Sequence, residues 1–122
     1  MPWTNLDREC SVIAGLVAKG PLGKTSVKIV TEGGSVLAAQ GPYAFALYLQ
    51  WKKLDPAAAG LIAHCGAFVS THVDQQPLRD VTPEQFLALI RRLSTDLEKL
   101  LLAKTLLTQI LAYLKYEIKG RT

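Results

Sequence analysis

Lysine and arginine side chains are the residues of this chain best suited to a chemical task, because they can bind phosphate groups or an acidic partner. The 14 Lys and Arg residues outnumber the 10 Asp and Glu residues, which gives a formal net charge of +4. A solvated helix face explains such residues in most proteins, but here they fall on separate predicted helices that a bundle would bring together. The candidate anion-binding residues are Lys52, Lys53, Arg91, Arg92, Lys104, Lys115 and Lys119.

His64, Cys65 and His72 are the one cluster of metal-type ligands in the sequence. On a helix His64 and His72 lie two turns apart on similar faces, whereas Cys65 points ~100° away from His64. Neither a second cysteine nor a nearby carboxylate completes a tetrahedral set, so we predict no metal site here. We expect Cys65 and Cys10, which show no paired spacing, to be free and buried.

The segment Gly23-Lys24-Thr25 matches the end of a phosphate-binding loop. That motif needs a glycine where this chain has Ala18, and it follows a strand rather than an amphipathic helix. The carboxylates stand near predicted helix starts, where capping explains them. Because no nucleophile, metal or paired-carboxylate set is complete, we predict that the protein is not an enzyme, uses no cofactor and has no small-molecule substrate.

Four aromatic residues follow one another in the segment after Gly41: Tyr43, Phe45, Tyr48 and Trp51. Such residues can stack on bases in proteins that bind single-stranded nucleic acid. At helical spacing they are far more often part of a hydrophobic core. We therefore expect all four to pack inside the protein.

The length and composition predict one folded domain spanning residues 1–122, because 49% of the residues are hydrophobic. The longest nearly apolar run, residues 57–69, is interrupted by Gly60, His64 and Gly66. That run is shorter than the ~20 residues that span a bilayer, and no signal-peptide pattern opens the chain. We expect no membrane contact and a cytoplasmic location.

Helical periodicity and helix-start signals recur along the chain. Asp55-Pro56 predicts an N-cap followed by proline at the first helical position, and Thr82-Pro83-Glu84-Gln85 predicts a capping box. The final helix carries a broad leucine-rich arc, which predicts that it is the central helix of the fold. The predicted helices cover residues 6–19, 42–53, 56–71, 83–93 and 94–119, with loops at residues 20–23 and 74–80.

Residues 24–40 do not give a single prediction. Val27, Ile29 and Val30 favour a strand, and Gly33-Gly34 would cost a helix roughly 1 kcal/mol per glycine. Residues 35–40 look helical again. A strand and a kinked helix are equally favoured here by the sequence.

Two segments resemble the small subunit of the type III-B CRISPR effector, the Cmr complex. Residues 41–49 read GPYAFALYL, with Lys52 after them, and are similar to a glycine-led aromatic and aliphatic helix of that family that ends in lysine. Leu102-Ala103-Lys104 and the later ILAYLK at residues 110–115 are similar to its last helix. The helix that opens with Leu6-Asp7-Arg8 agrees with the family as well. The small subunit of the type III-A complex is a close alternative.

The resemblance implies an all-α, compact bundle of about five or six helices, with residues 24–40 helical. It also implies a non-catalytic role. Copies of the subunit stack head to tail beside other subunits of the effector complex, and basic faces contact the backbone of the duplex of guide RNA and target RNA. The basic residues named above become candidate RNA-binding residues, and Lys19, Lys24 and Lys28 form a second set. The alternative is a generic helical protein–protein interaction or adaptor domain.

Overall fold

A computed structural model describes residues 2–20 and 26–120 of the chain, and side chains within residues 6–119 of these segments. Within these segments all regular structure is helical, so the predicted all-α fold is confirmed. The Gly23-Lys24-Thr25 segment lies outside the described residues. The helices are α1 (Pro2–Lys19), α2 (Ser26–Gln40), α3 (Pro42–Trp51), α4 (Pro56–His72), α5 (Pro83–Leu93) and α6 (Leu97–Gly120).

Three helices begin where their sequence signals predict. Gly41 has φ 96°, a conformation that favours glycine, and it turns the chain between α2 and α3. Asp55 caps α4 by accepting a hydrogen bond from the Ala57 N–H at 2.9 Å. At α5 the Gln85 N–H donates to Thr82 Oγ1 at 3.1 Å, and the Thr82 N–H donates to Gln85 Oε1 at 3.0 Å. The predicted capping box is therefore confirmed.

The ambiguous segment is helical from Ser26, and its packing explains why. Ile29, Val30 and Leu37 are buried on faces that contact α3, α4 and α6. Gly33 lies under Phe45, where an added Cβ would stand 3.2 Å from the ring atom Cε1. The absence of a side chain lets α3 approach α2, so tertiary packing outweighs the strand propensity of the valines and isoleucine.

Three predicted boundaries differ by two or more residues. The helix predicted over residues 42–53 ends at Trp51. The first helix begins at Pro2, ahead of residue 6. The helix predicted from Ser94 begins at Leu97, because residues 94–96 form a turn in which the Thr95 N–H donates to Arg92 O at 3.3 Å and the Asp96 N–H donates to Leu93 O at 3.0 Å. Asp96 then caps α6, since its Oδ1 accepts from the Lys99 N–H at 3.3 Å.

All six helices of the described segments contribute buried side chains to the core. Phe45 and Phe86 are fully buried and meet edge to face, with ring centroids 6.5 Å apart. Leu107, Ile110 and Leu114 form the buried arc predicted for the final helix. Its contacts are concentrated on α1 and α2, and one face of α6 stays exposed along its length.

Trp51 contradicts the expectation that the aromatic residues of α3 are core. Phe45 is buried, and Tyr43 and Tyr48 are half-buried against the core. Trp51 is the last residue of α3 and is 75% exposed. Of the helices in the described segments, none is long and apolar enough to cross a bilayer.

Candidate nucleic-acid interface

A shallow groove runs between α2 and α6, with a volume of about 340 Å³. Lys115 stands on its α6 side, and Gly34, Ala38 and Ala112 keep its walls low. Three hydroxyl groups also line it: those of Thr31, Ser35 and Thr108. The α2 residues of the groove follow the spacing of one helical face, which explains why they open into the same depression.

The groove hydroxyls are held by their own helices. Thr108 Oγ1 donates to Lys104 O at 2.7 Å, and Ser35 Oγ donates to Thr31 O at 3.2 Å. A hydroxyl proton rotates about the C–O bond, so each group can turn its donor toward a phosphate oxygen. Together with the Lys115 ammonium, the groove offers donors and low walls for a sugar–phosphate backbone.

The lysines of α6 follow the border of its buried arc. Lys104 and Lys115 are half-buried, and Lys119 is exposed in the last turn. Lys115 stands three turns after Lys104 and one turn before Lys119, so the three lie along one edge of the helix, spanning roughly 22 Å. Half-buried lysines can lay their stems on apolar surface while the charged heads reach outward.

Arg92 is paired with an aspartate of the same chain. Its Nη2 lies 2.6 Å from Asp74 Oδ2 and its Nε donates to Asp74 Oδ1 at 3.4 Å, which is a two-point ion pair. The Asp74 side chain is 5% exposed and the Arg92 side chain is 49% exposed. The pair ties α5 to the loop that follows α4, so the Arg92 charge is balanced within the protein.

Arg91 points to α3. Its Nη2 donates to the Tyr43 hydroxyl at 2.8 Å, and its guanidinium carbon lies 5.6 Å from the Tyr43 ring centroid. The side chain is exposed, and a guanidinium has five N–H donors, so donors remain for a ligand. The arginine is nevertheless oriented by a partner within the chain.

Lys52 and Lys53 follow the end of α3. The Lys52 ammonium lies 4.1 Å from the Trp51 ring centroid. Lys52 and Trp51 line a cleft together with Lys28 of α2. Lys53 is exposed and borders a neighbouring apolar depression. The structure thus gives the predicted basic residues three surroundings: the edge of α6, the intramolecular partners of the two arginines, and the cleft at the end of α3.

Sequence reasoning missed the part that α2 contributes. Lys28 was only a reserve candidate, and Thr31 and Ser35 were not candidates. Their positions follow from the helical period of α2, which places Lys28 toward Lys52 and Thr31 and Ser35 toward Lys115. The signal was hidden because residues 24–40 could equally form a strand, whose period of two would distribute the same residues differently.

The thiols of the fold are chemically inert. Burial is the main cause that raises the pKa of Cys65 to about 12 and that of Cys10 to about 11, so both stay protonated at neutral pH. Cys10 and Cys65 are free and buried, as predicted. His72 stacks on Phe68, with ring centroids 4.7 Å apart. Across residues 2–20 and 26–120, no group of three His, Cys, Asp or Glu side chains could hold a metal ion.

No protein-family model, no curated protein and no solved structure matches this chain. A proposal about its function therefore depends on the geometry of these surfaces and on the sequence resemblance.

Proposed function

We propose that this protein is a non-catalytic small subunit of a type III CRISPR RNA-guided effector complex, and that it contacts the backbone of the guide RNA–target RNA duplex. One observation carries the proposal: Lys115 and three hydroxyl-bearing side chains line an open, low-walled groove between α2 and α6. Recognition of a duplex backbone needs charge and shape rather than groups that read base edges. The all-α bundle that the resemblance implies agrees with the fold.

The α6 lysines supply the electrostatic part of this contact. Lys104 and Lys119 extend the row that passes Lys115, so the edge of α6 presents three cations to phosphates spaced along the backbone. Gly34 and Ala112 leave room for the sugar–phosphate chain to come close. Binding through this edge is independent of sequence, and each phosphate contact adds roughly −0.7 to −0.9 to the slope of log affinity against log salt.

The proposal includes protein partners: copies of this chain and other subunits of a cytoplasmic complex. Leu97 and Leu101, one turn apart on the exposed face of α6, support it because they are 68% and 53% exposed. Large aliphatic side chains exposed together on one helix face mark a protein-binding surface. That surface lies at the start of α6, ahead of the groove.

A helical adaptor domain is the second candidate function. Val12 and Leu16 on α1 are exposed as well, so more than one face of the bundle presents aliphatic side chains. An adaptor would use these faces to bind proteins, and its lysines would be ordinary surface residues.

Native mass spectrometry of the protein purified from its source separates the two candidates. The proposed function predicts a large ribonucleoprotein that contains RNA and several copies of this subunit. A homodimer or a small complex without RNA would contradict it and favour the adaptor. Purified protein incubated with labelled RNA and divalent metal should leave the RNA intact, and metal-dependent cleavage that follows the pure protein would contradict the non-catalytic role.

A further inference from the structure

Trp51 is the aromatic side chain of α3 that the fold leaves outside the core. It is 75% exposed, and Leu54, in the turn after α3, is 95% exposed. Both line a cleft of about 230 Å³ that lies between α2 and the connection from α3 to α4. Isolated exposed apolar side chains are common, but two that face one concave site provide walls for an apolar ligand.

Neighbouring side chains orient the indole. The Tyr48 hydroxyl donates to Glu32 Oε1 at 2.8 Å, which fixes the tyrosine between α3 and α2. The Tyr48 and Trp51 rings meet nearly edge to face, with centroids 6.2 Å apart, and the Lys52 ammonium lies 4.1 Å from the Trp51 centroid. Because burial and the bond to Glu32 raise the pKa of Tyr48, its hydroxyl stays a donor across the physiological range. The exposed ring therefore has contacts with Tyr48 and Lys52 on its own side of the cleft.

The cleft combines the groups that recognise a nucleotide. Trp51 offers a flat aromatic surface, Leu54 an aliphatic wall, and Ile29 a buried floor. A planar base fits between an aromatic and an aliphatic side chain, and base–aromatic stacking tolerates any base. Lys28 and Lys52 line the same cleft and can meet the phosphate.

Two carboxylates distinguish this cleft from a general anion site. Glu32 and Asp55 line it; Glu32 accepts a hydrogen bond from the Tyr48 hydroxyl, and Asp55 accepts one from the Ala57 N–H. A carboxylate accepts several hydrogen bonds, so Glu32 can also accept from the exocyclic amino group of adenine, cytosine or guanine. Uracil lacks an exocyclic amino group.

We propose that this cleft binds an unpaired ribonucleotide, with the base stacked on Trp51 and the phosphate against Lys28 and Lys52. This cleft is a different surface from the α2–α6 groove. The inference rests on the proposed function only in naming RNA as the polymer that supplies the nucleotide. The Glu32 carboxylate makes it select adenosine, cytidine and guanosine over uridine.

Tryptophan fluorescence tests the site on the full chain. The Trp3→Phe variant leaves Trp51 as the sole tryptophan, and the probes are hexamers of adenosine, cytidine and uridine, with AMP as a separate arm. We expect saturable quenching that is several-fold tighter for the adenosine and cytidine hexamers than for the uridine hexamer. Tighter binding of the adenosine hexamer than of AMP would identify an RNA strand as the source, and equal binding would identify a free nucleotide.

Variants assign the binding to the ring. By fluorescence anisotropy of the labelled adenosine hexamer, Trp51→Leu should bind about tenfold more weakly and Trp51→Phe should retain most of the affinity. Tyr116→Leu is the matched control, because Tyr116 is an exposed aromatic residue of α6, 73% exposed. Unchanged affinity of Trp51→Leu would overturn the proposal. A fluorescence change that follows protein concentration without RNA would overturn it in favour of a protein partner.

Two variants distinguish the duplex-binding proposal from the proposal for the Trp51 cleft. Lys115→Gln should weaken binding of an RNA duplex and leave the hexamers unaffected, whereas Trp51→Leu should do the reverse. If neither variant weakens duplex binding, the proposal for the α2–α6 groove is contradicted and that for the Trp51 cleft is not. If neither variant weakens hexamer binding, the proposal for the Trp51 cleft is contradicted and that for the groove is not.

Discussion

The arginines of α5 and the lysines of α6 carry the same charge in the sequence, yet the fold uses them differently. Arg92 is engaged at two points by the nearly buried carboxylate of Asp74. Lys115 borders a groove that is open to solvent and lined by hydroxyl groups. The difference lies in what the neighbouring element presents: an acidic loop in one case and a face of small polar residues in the other.

This comparison separates two roles of a basic side chain. An arginine with a two-point partner in the fold stabilises an element, because its removal leaves a desolvated carboxylate unpaired. A lysine at the border of an open groove contributes little to folding and is available to a ligand. Substitutions of the α5 arginine Arg92 should therefore change stability, and substitutions along the lysine edge of α6 should change RNA binding.

The largest expected effect concerns the loop that carries Asp74. Gly66 of α4 faces Val81, where an added Cβ would stand 2.7 Å from Cγ1 and 3.0 Å from Cβ of the valine. Gly66→Ala should lower the free energy of unfolding by about 2–3 kcal/mol, because a β-branched side chain cannot move away without shifting the loop. Urea denaturation measures the change.

Gly15→Ala is the matched control, since a Cβ at Gly15 of α1 meets no atom within 4 Å. There the gain in helix propensity should leave stability unchanged or raise it by up to about 1 kcal/mol. If Gly66→Ala is as stable as Gly15→Ala, the loop is not packed tightly on α4.

Removing the ion pair should have the next largest effect. Arg92→Leu should destabilise the protein by about 2 kcal/mol, because the Asp74 carboxylate, 5% exposed, loses both of its guanidinium hydrogen bonds. Lys115→Leu should change stability by less than about 0.5 kcal/mol. The two variants are compared by urea denaturation at one pH, and equal losses would remove the distinction between the α5 and α6 residues.

A double variant tests why Arg92→Leu destabilises the protein. If the unpaired carboxylate is responsible, Asp74→Asn in the Arg92→Leu background should recover part of the stability, since a neutral amide is less costly to bury. No recovery would mean that Arg92 acts through the packing of its stem.

Local signals in the sequence were sufficient for much of the fold. Pro56 and Pro83 at the first helical positions, with caps at Asp55 and Thr82, fix two helix starts through backbone chemistry alone. The start of α6 was predicted at Ser94, three residues early, because Ser94 and Thr95 interrupt the leucine pattern too briefly to change its period. At residues 26–40 the helix is favoured by packing against α3, α4 and α6, including Phe45 over Gly33, and local propensity does not reveal such contacts.

The candidate site was predictable only in part, for a related reason. The sequence shows which residues are basic, and the α6 period correctly placed Lys104, Lys115 and Lys119 along one edge. It does not show that Asp74 lies within reach of Arg92, or that Tyr43 lies within reach of Arg91, because both pairs depend on how α3, α4 and α5 pack. Trp51 was expected in the core, because helical spacing alone does not show how much of a ring the packed helices leave exposed.

A measurement of RNA binding tests the role given to the lysines of α6. Lys115→Gln should weaken duplex binding by the assembled complex a few-fold and reduce the magnitude of its salt slope by roughly 0.7–0.9 for each contact removed. Affinity is measured by filter binding between low and moderate salt. If the slope does not change, the basic face lies elsewhere, and Lys19 and Lys28 are the next residues to replace.

Arg91 gives the smallest expected effect and the sharpest test, because it stands between the two roles. It is exposed like the α6 lysines and hydrogen-bonded within the fold like Arg92. Arg91→Gln should lower stability by about 0.5–1 kcal/mol, the size of an exposed cation–π contact with Tyr43, and should leave the salt slope of RNA binding unchanged. Tyr43→Phe removes the hydroxyl acceptor and keeps the ring, so it should cost less than Arg91→Gln. If Arg91→Gln changes the salt slope as much as Lys115→Gln does, Arg91 contacts a phosphate. In that case a partner within the chain would not distinguish structural cations from ligand-binding cations in this protein.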